Sequence, residues 1–513
     1  MDRGKIMDFL NLVEDALPVN QWKWDGISVW PLFRVLTYFQ NIQREEFSRV
    51  DSKYHSYYKK AKSAFLSLAS YYKASFVDKK QFDYSDGRRD IIFNIHSLTR
   101  SVRINHSWYS MHYDPLVKIL KENNISSLCL EFAPRGEYRL PRYSPSLLID
   151  RDLFMIKISS AVNKKTHLDD SFLYFWDQIK FLAEQNGEDL RTPSKGWLYF
   201  LLRYVRNLAE FYKKIFLKNG PSIGMVICYY GLGGMAFVLA CNEFGIPSID
   251  IQHGVQGALH VAYGRWNAVS GDGYNLLPDY FWCWSDEEAQ NIYSWSSDNS
   301  IRHKPIVGGN LFLEQVQKGE IFFKEEENLK KEINNSYFKK HILVTLQPIN
   351  YKGTLERLAS CMDCTPKEWM WWIRLHPSMH SNKGDIVKFL EKKVNSFKNI
   401  NVEKATDLPL YLLLKHVDVH ITSSSSVVIE AEAFGVRSII IDQLGIAYYK
   451  KQLENGSAIY AQDQKSIINT IFKLDNKTTR SKVLDNKNSQ EAIKKITFLI
   501  KDRKQKNAAL KIS

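Results

Sequence analysis

The spacing of apolar residues along the chain predicts its elements and its division into domains. Helical periodicity appears near residues 168–186, 195–218 and 231–245. Between and around these helices, short apolar runs bounded by polar residues predict buried strands at residues 90–96, 125–132, 223–230, 246–254, 280–285 and 304–309. Strands that alternate with helices form parallel sheets with crossover connections. Residues 90–314 are therefore expected to fold as one Rossmann-like domain.

The same alternation begins again after residues 315–340, a polar stretch rich in Lys and Glu that is expected to join two domains. Beyond it, the pattern predicts strands at 341–348, 368–377, 417–424 and 436–442, with helices at 385–397 and 425–435. We assign residues 341–475 to a second Rossmann-like domain, residues 1–89 to a helical, aromatic-rich N-terminal region, and residues 476–513 to a C-terminal helix with a basic tail. The predicted fold is α/β, with two facing Rossmann-like domains and an N-terminal helical extension.

The net charge of the chain indicates an anionic binding partner. The chain carries a formal charge of +14 and has a pI of about 9.2, which favours nucleic acid, an anionic lipid surface or a phosphorylated substrate. The basic residues are spread out rather than gathered in an arm, so no nucleic-acid partner is expected. Within residues 54–73, Tyr and Phe recur at helical spacing with Lys between them. This stretch predicts a helix on the inner-membrane surface or, the interpretation we favour, an ordinary surface helix.

Cysteine usage and the N-terminus indicate a cytoplasmic protein. Six cysteines in 513 residues do not make a disulfide framework, and the lone CMDC at residues 361–364 lacks the second pair that a zinc site needs. Acidic residues near the N-terminus argue against a secretory signal. The longest uncharged stretch, residues 219–242, contains Pro221 and five glycines, and so predicts a strand, a turn and a helix rather than a membrane span.

Four consecutive serines, Ser423, Ser424, Ser425 and Ser426, separate an apolar strand from an amphipathic helix. A serine at a helix N-cap accepts from backbone N–H groups, so Ser425 or Ser426 is expected to cap this helix. The unpaired N–H groups of the first turn, the positive end of the helix and the remaining hydroxyls would bind an anion such as phosphate. Glu430, about one turn into the helix, is placed to accept from a ribose hydroxyl. A capping turn without a ligand is the alternative.

Two other predicted strands end in a histidine. Arg374 and His376 of RLHP follow a strand in the second domain and are expected at the carboxyl edge of its sheet, where α/β proteins bind ligands. In the first domain, IDIQHG at residues 249–254 places His253 at a strand end, where an imidazole takes a proton from an acceptor hydroxyl. For each histidine, a structural role in its own loop is the alternative.

Together, QHG (252–254), RLHP (374–377) and ITSSSSVVIEAEAFGVRSIII (421–441) resemble bacterial surface-polysaccharide glycosyltransferases of the GT-B architecture. The likeness is to capsule and lipopolysaccharide Kdo transferases and to bacterial sialyltransferases, which carry an HP motif and a serine motif around a CMP-sugar. A parallel likeness is to teichoic-acid glycerophosphotransferases, which bind CDP-glycerol with a His-Gly pair, an HP pair and a serine loop. The resemblance covers roughly residues 220–445.

The resemblance implies roles for these residues. It places His376 and the four serines on the donor phosphate, Glu430 near the nucleotide ribose, and His253 at an interdomain cleft. Bacterial sialyltransferases also have an acidic base in a D/E-D/E-G motif that this chain lacks. Glu131 and Glu137 of CLEFAPRGE are the substitutes, so Glu131 joins His253 as a candidate catalytic residue. No DxD-like metal motif stands at a strand end, so transfer is expected to need no metal or other cofactor.

The expected function is transfer of a sugar from a nucleotide donor to an oligosaccharide or lipid-linked glycan of capsule or lipopolysaccharide. CMP-Kdo or a related ulosonic acid is the leading candidate donor, and a UDP-hexose is the other candidate. The runner-up is a CDP-glycerol-type alditol phosphotransferase. An NAD-dependent oxidoreductase is a rival because GLGGMA (231–236) followed by Asp250 fits the dinucleotide fingerprint. A non-catalytic member of a polysaccharide assembly complex is a third alternative.

Overall fold

Two parallel β-sheets organise the residues that the computed structural model describes, which are 3–47, 87–133, 138–162, 170–185, 190–269, 271–296, 302–348, 350–474 and 487–509. Each sheet lies in one of two units. Unit 1 comprises Met1–Arg100, Trp108–Leu311 and Asn486–Ser513, and unit 2 comprises Ser101–Ser107 and Phe312–Asp485. The aromatic and basic stretch at residues 54–73 and Glu137 lie outside the described residues, so the predictions made for them stay predictions.

The strands of the first part of the chain form two small sheets of two strands each, β1-β2 and β4-β5, and the larger sheet of unit 1. They are β1 (Lys23–Trp24), β2 (Ile27–Ser28), β3 (Ile91–His96), β4 (Arg100–Ile104), β5 (Ser107–Ser110), β6 (Ser127–Phe132), β7 (Leu147–Leu148), β8 (Ile223–Ile227), β9 (Ser248–Ile251), β10 (Tyr280–Cys283) and β11 (Lys304–Val307). The seven-stranded sheet has the order β11-β10-β9-β8-β3-β6-β7, and all its neighbours are parallel. The strand order therefore reverses between β3 and β8, which makes this a doubly wound sheet.

Helices connect and cover these strands. They are α1 (Arg3–Ala16), α2 (Val29–Phe47), α3 (Asp114–Glu122), α4 (Asp150–Val162), α5 (Asp170–Gln185), α6 (Lys195–Asn219), α7 (Leu232–Phe244) and α8 (Asp286–Tyr293). Local sequence sets their ends, as α6 illustrates. The Ser194 hydroxyl accepts from the Trp197 N–H at 3.3 Å, and Gly220 ends the helix with φ +54°.

The N-terminal helices are fastened to unit 1 by a buried ion pair. The Arg34 guanidinium of α2 bonds to the Glu14 carboxylate of α1, and both side chains are fully buried. Arg34 also donates to the carbonyls of Gly264 (3.0 Å) and Arg265 (2.9 Å), and Glu14 accepts from the Trp30 indole at 2.7 Å. Because the paired charges also satisfy these polar groups, the described part of the N-terminal extension belongs to unit 1 rather than hanging from it.

Unit 2 repeats the architecture of unit 1. Its strands are β12 (Lys340–Thr345), β13 (Trp369–Arg374), β14 (Ile400–Asn401), β15 (Val419–Thr422), β16 (Arg437–Ile440) and β17 (Ala458–Tyr460). They form a parallel sheet in the order β14-β13-β12-β15-β16-β17, which is the Rossmann order with its reversal between β12 and β15. Its helices are α9 (Leu311–Gln317), α10 (Glu326–Asn334), α11 (Tyr351–Asp363), α12 (Lys383–Lys393), α13 (Glu403–Asp407), α14 (Leu410–Leu414), α15 (Val427–Ala433), α16 (Gln443–Tyr448), α17 (Lys450–Glu454) and α18 (Gln464–Lys473).

The last helix, α19 (Lys487–Ala509), packs into the core of unit 1 although it follows unit 2 in sequence. Ala492, Ile493, Ile496 and Ile500 join the apolar cluster formed by β3, β8 and β9. Ile496 is fully buried there. Unit 1 is thus completed by a segment that lies about 175 residues beyond the end of its other part, as the unit boundaries at Leu311 and Asn486 show.

The α/β prediction is confirmed: each predicted strand and helix of the two halves has a counterpart in the described chain. The uncharged residues 219–242 supply β8 and most of α7, as predicted. Within the described residues, no helix combines the length and the apolar character that a bilayer span requires. Residues 315–340, predicted as a polar joint, contain α10 and the end of α9 and belong to unit 2.

Candidate functional site

The serine turn and RLHP leave the sheet of unit 2 at the same edge. Thr345 of β12 is in register with Arg374 of β13 on one side and with Thr422 of β15 on the other. With strands about 4.8 Å apart, the two loops start roughly 10 Å from each other. The serine turn follows β15, so it borders the point where the strand order reverses. Ligands of doubly wound sheets bind at this point.

The four serine hydroxyls divide into two that the fold uses and two that it does not. The Ser423 hydroxyl lies 3.0 Å from that of Thr354, and the buried Ser425 hydroxyl accepts from the Val427 N–H at 3.4 Å. The hydroxyls of Ser424 and Ser426 are half-exposed and have no hydrogen-bonding partner among the residues that the structure describes. A capping turn explains Ser425, but it does not explain Ser424 and Ser426.

The first turn of α15 differs from the prediction in one respect. We expected its backbone N–H groups to be unpaired, but Val428 donates to the Ser425 carbonyl (3.2 Å) and Ile429 to the Ser426 carbonyl (2.9 Å). These tight bonds arise because Ser426 already has helical backbone angles, so the helix begins with a narrow turn. Because these amides are paired and α15 is only seven residues long, neither the amides nor the helix dipole is the main attraction for an anion. The turn offers its hydroxyl groups as donors.

His376 is held in one orientation by the residue two positions on. Its Nδ1 accepts from the Ser378 N–H at 3.2 Å, and the Ser378 hydroxyl is 2.8 Å from the same nitrogen. Burial lowers the pKa of His376 to about 4, and His380 adds to the effect, so the ring is neutral at pH 7. A backbone N–H can only donate, so the single proton of the neutral ring is on Nε2. The HP motif therefore presents one N–H donor at the sheet edge.

Arg374 and Glu430 of unit 2 interact electrostatically with each other. The Arg374 guanidinium donates to the carbonyls of Ala405 (2.7 Å) and Leu408 (2.6 Å), which ties it to the fold. Burial lowers its pKa to about 10, against the attraction of Glu430. Glu430 is buried and accepts from the Tyr411 hydroxyl at 2.8 Å. Burial raises the pKa of Glu430 to about 7, although Tyr411 and Arg374 both oppose the rise.

In unit 1, His253 follows β9 at the carboxyl edge of the sheet, as predicted. Its Nε2 is 3.3 Å from the Tyr230 hydroxyl, and its Nδ1 is buried without a hydrogen-bonding partner among the described residues. Burial lowers the pKa of His253 to about 4; the neighbouring His96 lowers it further, and the Ile251 carbonyl opposes the change. The imidazole is therefore neutral and able to accept a proton, but it is a weak base in the empty site.

Glu131, the other candidate catalytic residue, is occupied by contacts within unit 1. It is about 1% exposed, accepts from the Arg100 guanidinium at 3.0 Å and from the Ser146 hydroxyl. Arg100 is itself fully buried and also reaches Asp114 at 3.3 Å. A base must be within hydrogen-bonding reach of its substrate, so this arrangement favours a structural role for Glu131.

The dinucleotide fingerprint has a structural explanation in unit 1. Asp250 accepts from the Tyr229 N–H (3.0 Å) and the Tyr263 hydroxyl (2.7 Å), and it is fully buried, so a ribose has no access to its carboxylate. A Cβ at Gly234 would lie 2.5 Å from the Tyr229 carbonyl, so glycine is required there by the close approach of α7 to the turn that follows β8. These contacts argue against the NAD-dependent alternative.

Sequence reasoning missed two residues beside His253. His96 ends β3, and the His112 ring centroid is 6.4 Å from that of His253. The signal for His96 was present in the sequence, since it ends a predicted strand just as His253 follows one. His112 follows no predicted strand, so its approach to His253 depends on tertiary structure.

The sequence matches no protein-family model and no curated protein. Solved structures do resemble it. The complex of S. aureus MnaA with UDP matches with a TM-score of 0.50 and 13% identity over 80% of this chain and 97% of that one. UDP-GlcNAc 2-epimerase from Neisseria meningitidis bound to UDP-GlcNAc gives a TM-score of 0.48 and 14% identity over 79% and 99%. The glycosyltransferase SnogD from Streptomyces nogalater gives 0.39 and 12% over 83% and 99%.

At these identities the likeness concerns the fold, and it agrees with the strand orders described above. The match to MnaA covers 80% of this chain, which is more than either unit contains, so it extends over both units. The chain therefore has the predicted architecture of two Rossmann-like α/β domains, the GT-B-like fold.

Proposed function

We propose that this protein is a nucleotide-sugar-dependent glycosyltransferase whose donor phosphate is bound by the serine turn and His376. One observation carries the proposal: the Ser424 and Ser426 hydroxyls have no partner within the described chain, at the reversal point of the unit 2 sheet. The Nε2–H of His376 supplies a third donor from the same edge. Three neutral donors suit a phosphate that gains charge as it departs, because they stabilise it without a cation.

In the proposed reaction, the bond between the sugar's anomeric carbon and the phosphate oxygen breaks as the acceptor oxygen bonds to that carbon. The electron pair of the broken bond leaves with the phosphate. The acceptor's hydroxyl proton passes to the neutral His253 imidazole. Glu430, which interacts electrostatically with Arg374, accepts from the ribose. Stated this way, the reaction requires no metal ion.

The identity of the donor is the next part of the proposal. The resemblance to Kdo transferases and sialyltransferases favours a CMP-linked ulosonic acid, with an oligosaccharide or lipid-linked glycan of capsule or lipopolysaccharide as acceptor. The MnaA structure, whose fold this chain shares, contains UDP, so uridine donors belong in the same test. We place the reaction at the cytoplasmic face of the inner membrane, where the net charge of +14 favours peripheral contact with anionic lipid.

A calorimetric screen tests the proposal. Purified full-length protein is titrated with CMP, UDP, CDP and GDP and with their sugar or glycerol conjugates. Ser424→Ala and Ser426→Ala should each weaken binding of the preferred nucleotide by about tenfold or more, because each removes a hydrogen bond to a charged group. Ser396→Ala, which changes an exposed serine elsewhere in unit 2, is the matched control and should bind normally.

The outcomes separate the alternatives. Binding of no nucleotide would refute the proposal, and normal binding by both serine variants would refute the assignment of the site. Tight binding of CDP-glycerol, with release of CMP on addition of a glycan acceptor, would identify the alditol phosphotransferase instead. Intact function in cells after both His253→Ala and His376→Ala would favour the non-catalytic alternative.

A further inference from the structure

Three histidines meet at the carboxyl edge of the unit 1 sheet. His96 ends β3, His253 follows β9, and His112 precedes α3. The rings of His112 and His253 are nearly perpendicular, with centroids 6.4 Å apart, and each of the three imidazoles interacts electrostatically with the other two. We call these residues the histidine cluster. Sequence separations of 16 and 141 residues between consecutive members show that the sheet, not a local motif, assembles it.

The histidine cluster has ring nitrogens that the described chain leaves unpaired. The Nδ1 atoms of His96 and His253 are buried and have no hydrogen-bonding partner there. The nitrogens of His112 have none either, and this residue is mostly but not fully buried. Buried polar atoms are almost always hydrogen-bonded in proteins. Two unpaired ring nitrogens in one cluster therefore indicate a hydrogen-bonding partner from outside the described chain. A ligand or water molecules would supply it.

The cluster also occupies the place where this fold binds ligands. The strand order of unit 1 reverses between β3, which ends at His96, and β8. After β8, Cys228 has φ +68°, a strained conformation for a residue that is neither glycine nor asparagine. His112 lines a small recess with Trp284 and Asn310, and His96 and His253 lie outside its lining. The Trp284 ring lies within 14° of parallel to His112, with centroids 6.5 Å apart.

The charges around the cluster indicate what kind of ligand it accepts. Burial lowers the pKa of His96 and His253 to about 4 and that of His112 to about 3. His96 lowers the pKa of His253 further, and both of them lower that of His112. His260 also repels His253, and burial lowers the pKa of His260 to about 3, so it adds no negative charge. The one carboxylate that acts on them is Glu131, through His96, and Arg100 already neutralises it. A proton added to the cluster therefore has no counter-ion in the described chain, and an anion from outside would supply one.

We propose that the histidine cluster binds an oxyanion, a carboxylate or phosphate of the acceptor, and takes up a proton as it does so. The inference rests on the proposed function and deepens it, since it assigns an acidic acceptor to unit 1. The bound anion also makes His253 a stronger base, which removes the weakness of that imidazole in the empty site. No group of described residues has the geometry of a metal site, so an anion rather than a cation is the expected ligand.

Calorimetry on the full-length protein tests this inference with glucuronate, glucose 6-phosphate and glucose as probes between pH 5 and pH 8. His376→Ala is used as the background, so that the serine turn does not compete for the phosphate. Glucuronate keeps a constant charge over this range, so its pH dependence reports on the protein. With one proton taken up, its affinity should rise up to about tenfold for each unit by which pH falls. Titrations in buffers of different ionisation enthalpy count the proton directly.

The variants give the second half of the test. His112→Gln should abolish the proton uptake and lower glucuronate affinity at pH 5 at least tenfold, and His96→Gln provides the same test if the first variant does not fold. His106→Asn, which changes an exposed histidine with φ +65°, is the matched control and should leave both unchanged. Preference for glucose 6-phosphate over glucuronate would identify phosphate as the anion. The inference is overturned if glucose binds as well as glucuronate at pH 5, or if His112→Gln and His96→Gln change nothing.

These results stay distinct from those of the nucleotide screen. Nucleotide binding with no response to glucuronate would leave the proposed function standing and remove the acidic acceptor. A proton-coupled response to glucuronate in a protein that binds no nucleotide would do the reverse.

Discussion

Glu430→Gln should make unit 2 more stable at pH 8 and leave its stability nearly unchanged at pH 5. The carboxylate is buried in α15, and burial raises its pKa to about 7 from an ordinary 4.5. Glutamine has the same shape and still accepts from the Tyr411 hydroxyl, but it carries no charge to bury. The variant thus imitates the protonated carboxyl group that the fold prefers.

The magnitude follows from the difference between the folded and unfolded pKa values. Between about pH 4.5 and pH 7, the folded state holds a proton that the unfolded chain has released, so stability falls as pH rises through this window. A shift of about 2.5 units at 1.36 kcal/mol per unit corresponds to a loss of ~3 kcal/mol, complete above pH 7. Glutamine avoids this loss. For a unit of this size, ~3 kcal/mol raises the melting temperature by roughly 6–12 °C.

Calorimetric melting at pH 5 and pH 8 measures the effect in the transition that contains unit 2. Glu432→Gln, on the same helix, controls for removal of a carboxylate that bonds to Gln452 and Asn455 instead. An offset between Glu430→Gln and the parent that is the same at both pH values would refute the reasoning, because burial of charge would then not be its source. The variant should also bind nucleotide more weakly, so stability and binding are expected to change in opposite directions.

Three other variants test the packing. Gly445→Ala should destabilise unit 2 and weaken nucleotide binding, because its Cβ would lie 2.4 Å from the Ser423 carbonyl of the serine turn; melting and titration check this. Glu14→Gln should cost about 3–5 kcal/mol in denaturant unfolding, since it leaves the buried charge of Arg34 without its counter-ion. Ile496→Ala should lower the free energy of unfolding by about 2–5 kcal/mol, measured in denaturant, because it opens a cavity under α19. A much smaller loss would show that α19 is only loosely attached.

The fold could be predicted because parallel strands covered on both faces are continuous apolar runs. IIFNIH at β3 and WMWWIR at β13 illustrate this, with five of six and four of six residues buried. Two series of such runs separated by helices leave few alternatives to two doubly wound sheets. The attachment of α19 to unit 1 could not be predicted, since its apolar residues specify a buried face but not the surface that buries it.

The candidate site was predictable only as far as strand ends. Their common edge follows from parallel topology, which brings Arg374 and the serine turn together. The division of the four serine hydroxyls depends on Thr354, about 70 residues away in sequence, so the sequence alone could not assign it. In the same way, the sequence leaves Glu131 free to act as a catalytic base, whereas the fold pairs it with Arg100, 31 residues earlier in the chain. Residues that are distant in sequence therefore decide which polar groups are paired within the protein and which are left for a ligand.

The position of α19 has a consequence for synthesis of the protein. A ribosome completes the first part of unit 1 at Leu311, but the helix that closes its core emerges only after all of unit 2. At about 5–20 residues per second, the intervening segment takes roughly ten to forty seconds to translate. Throughout that time unit 1 lacks the helix that covers its apolar cluster, so unit 1 is expected to complete its core only after all of unit 2 has been synthesised.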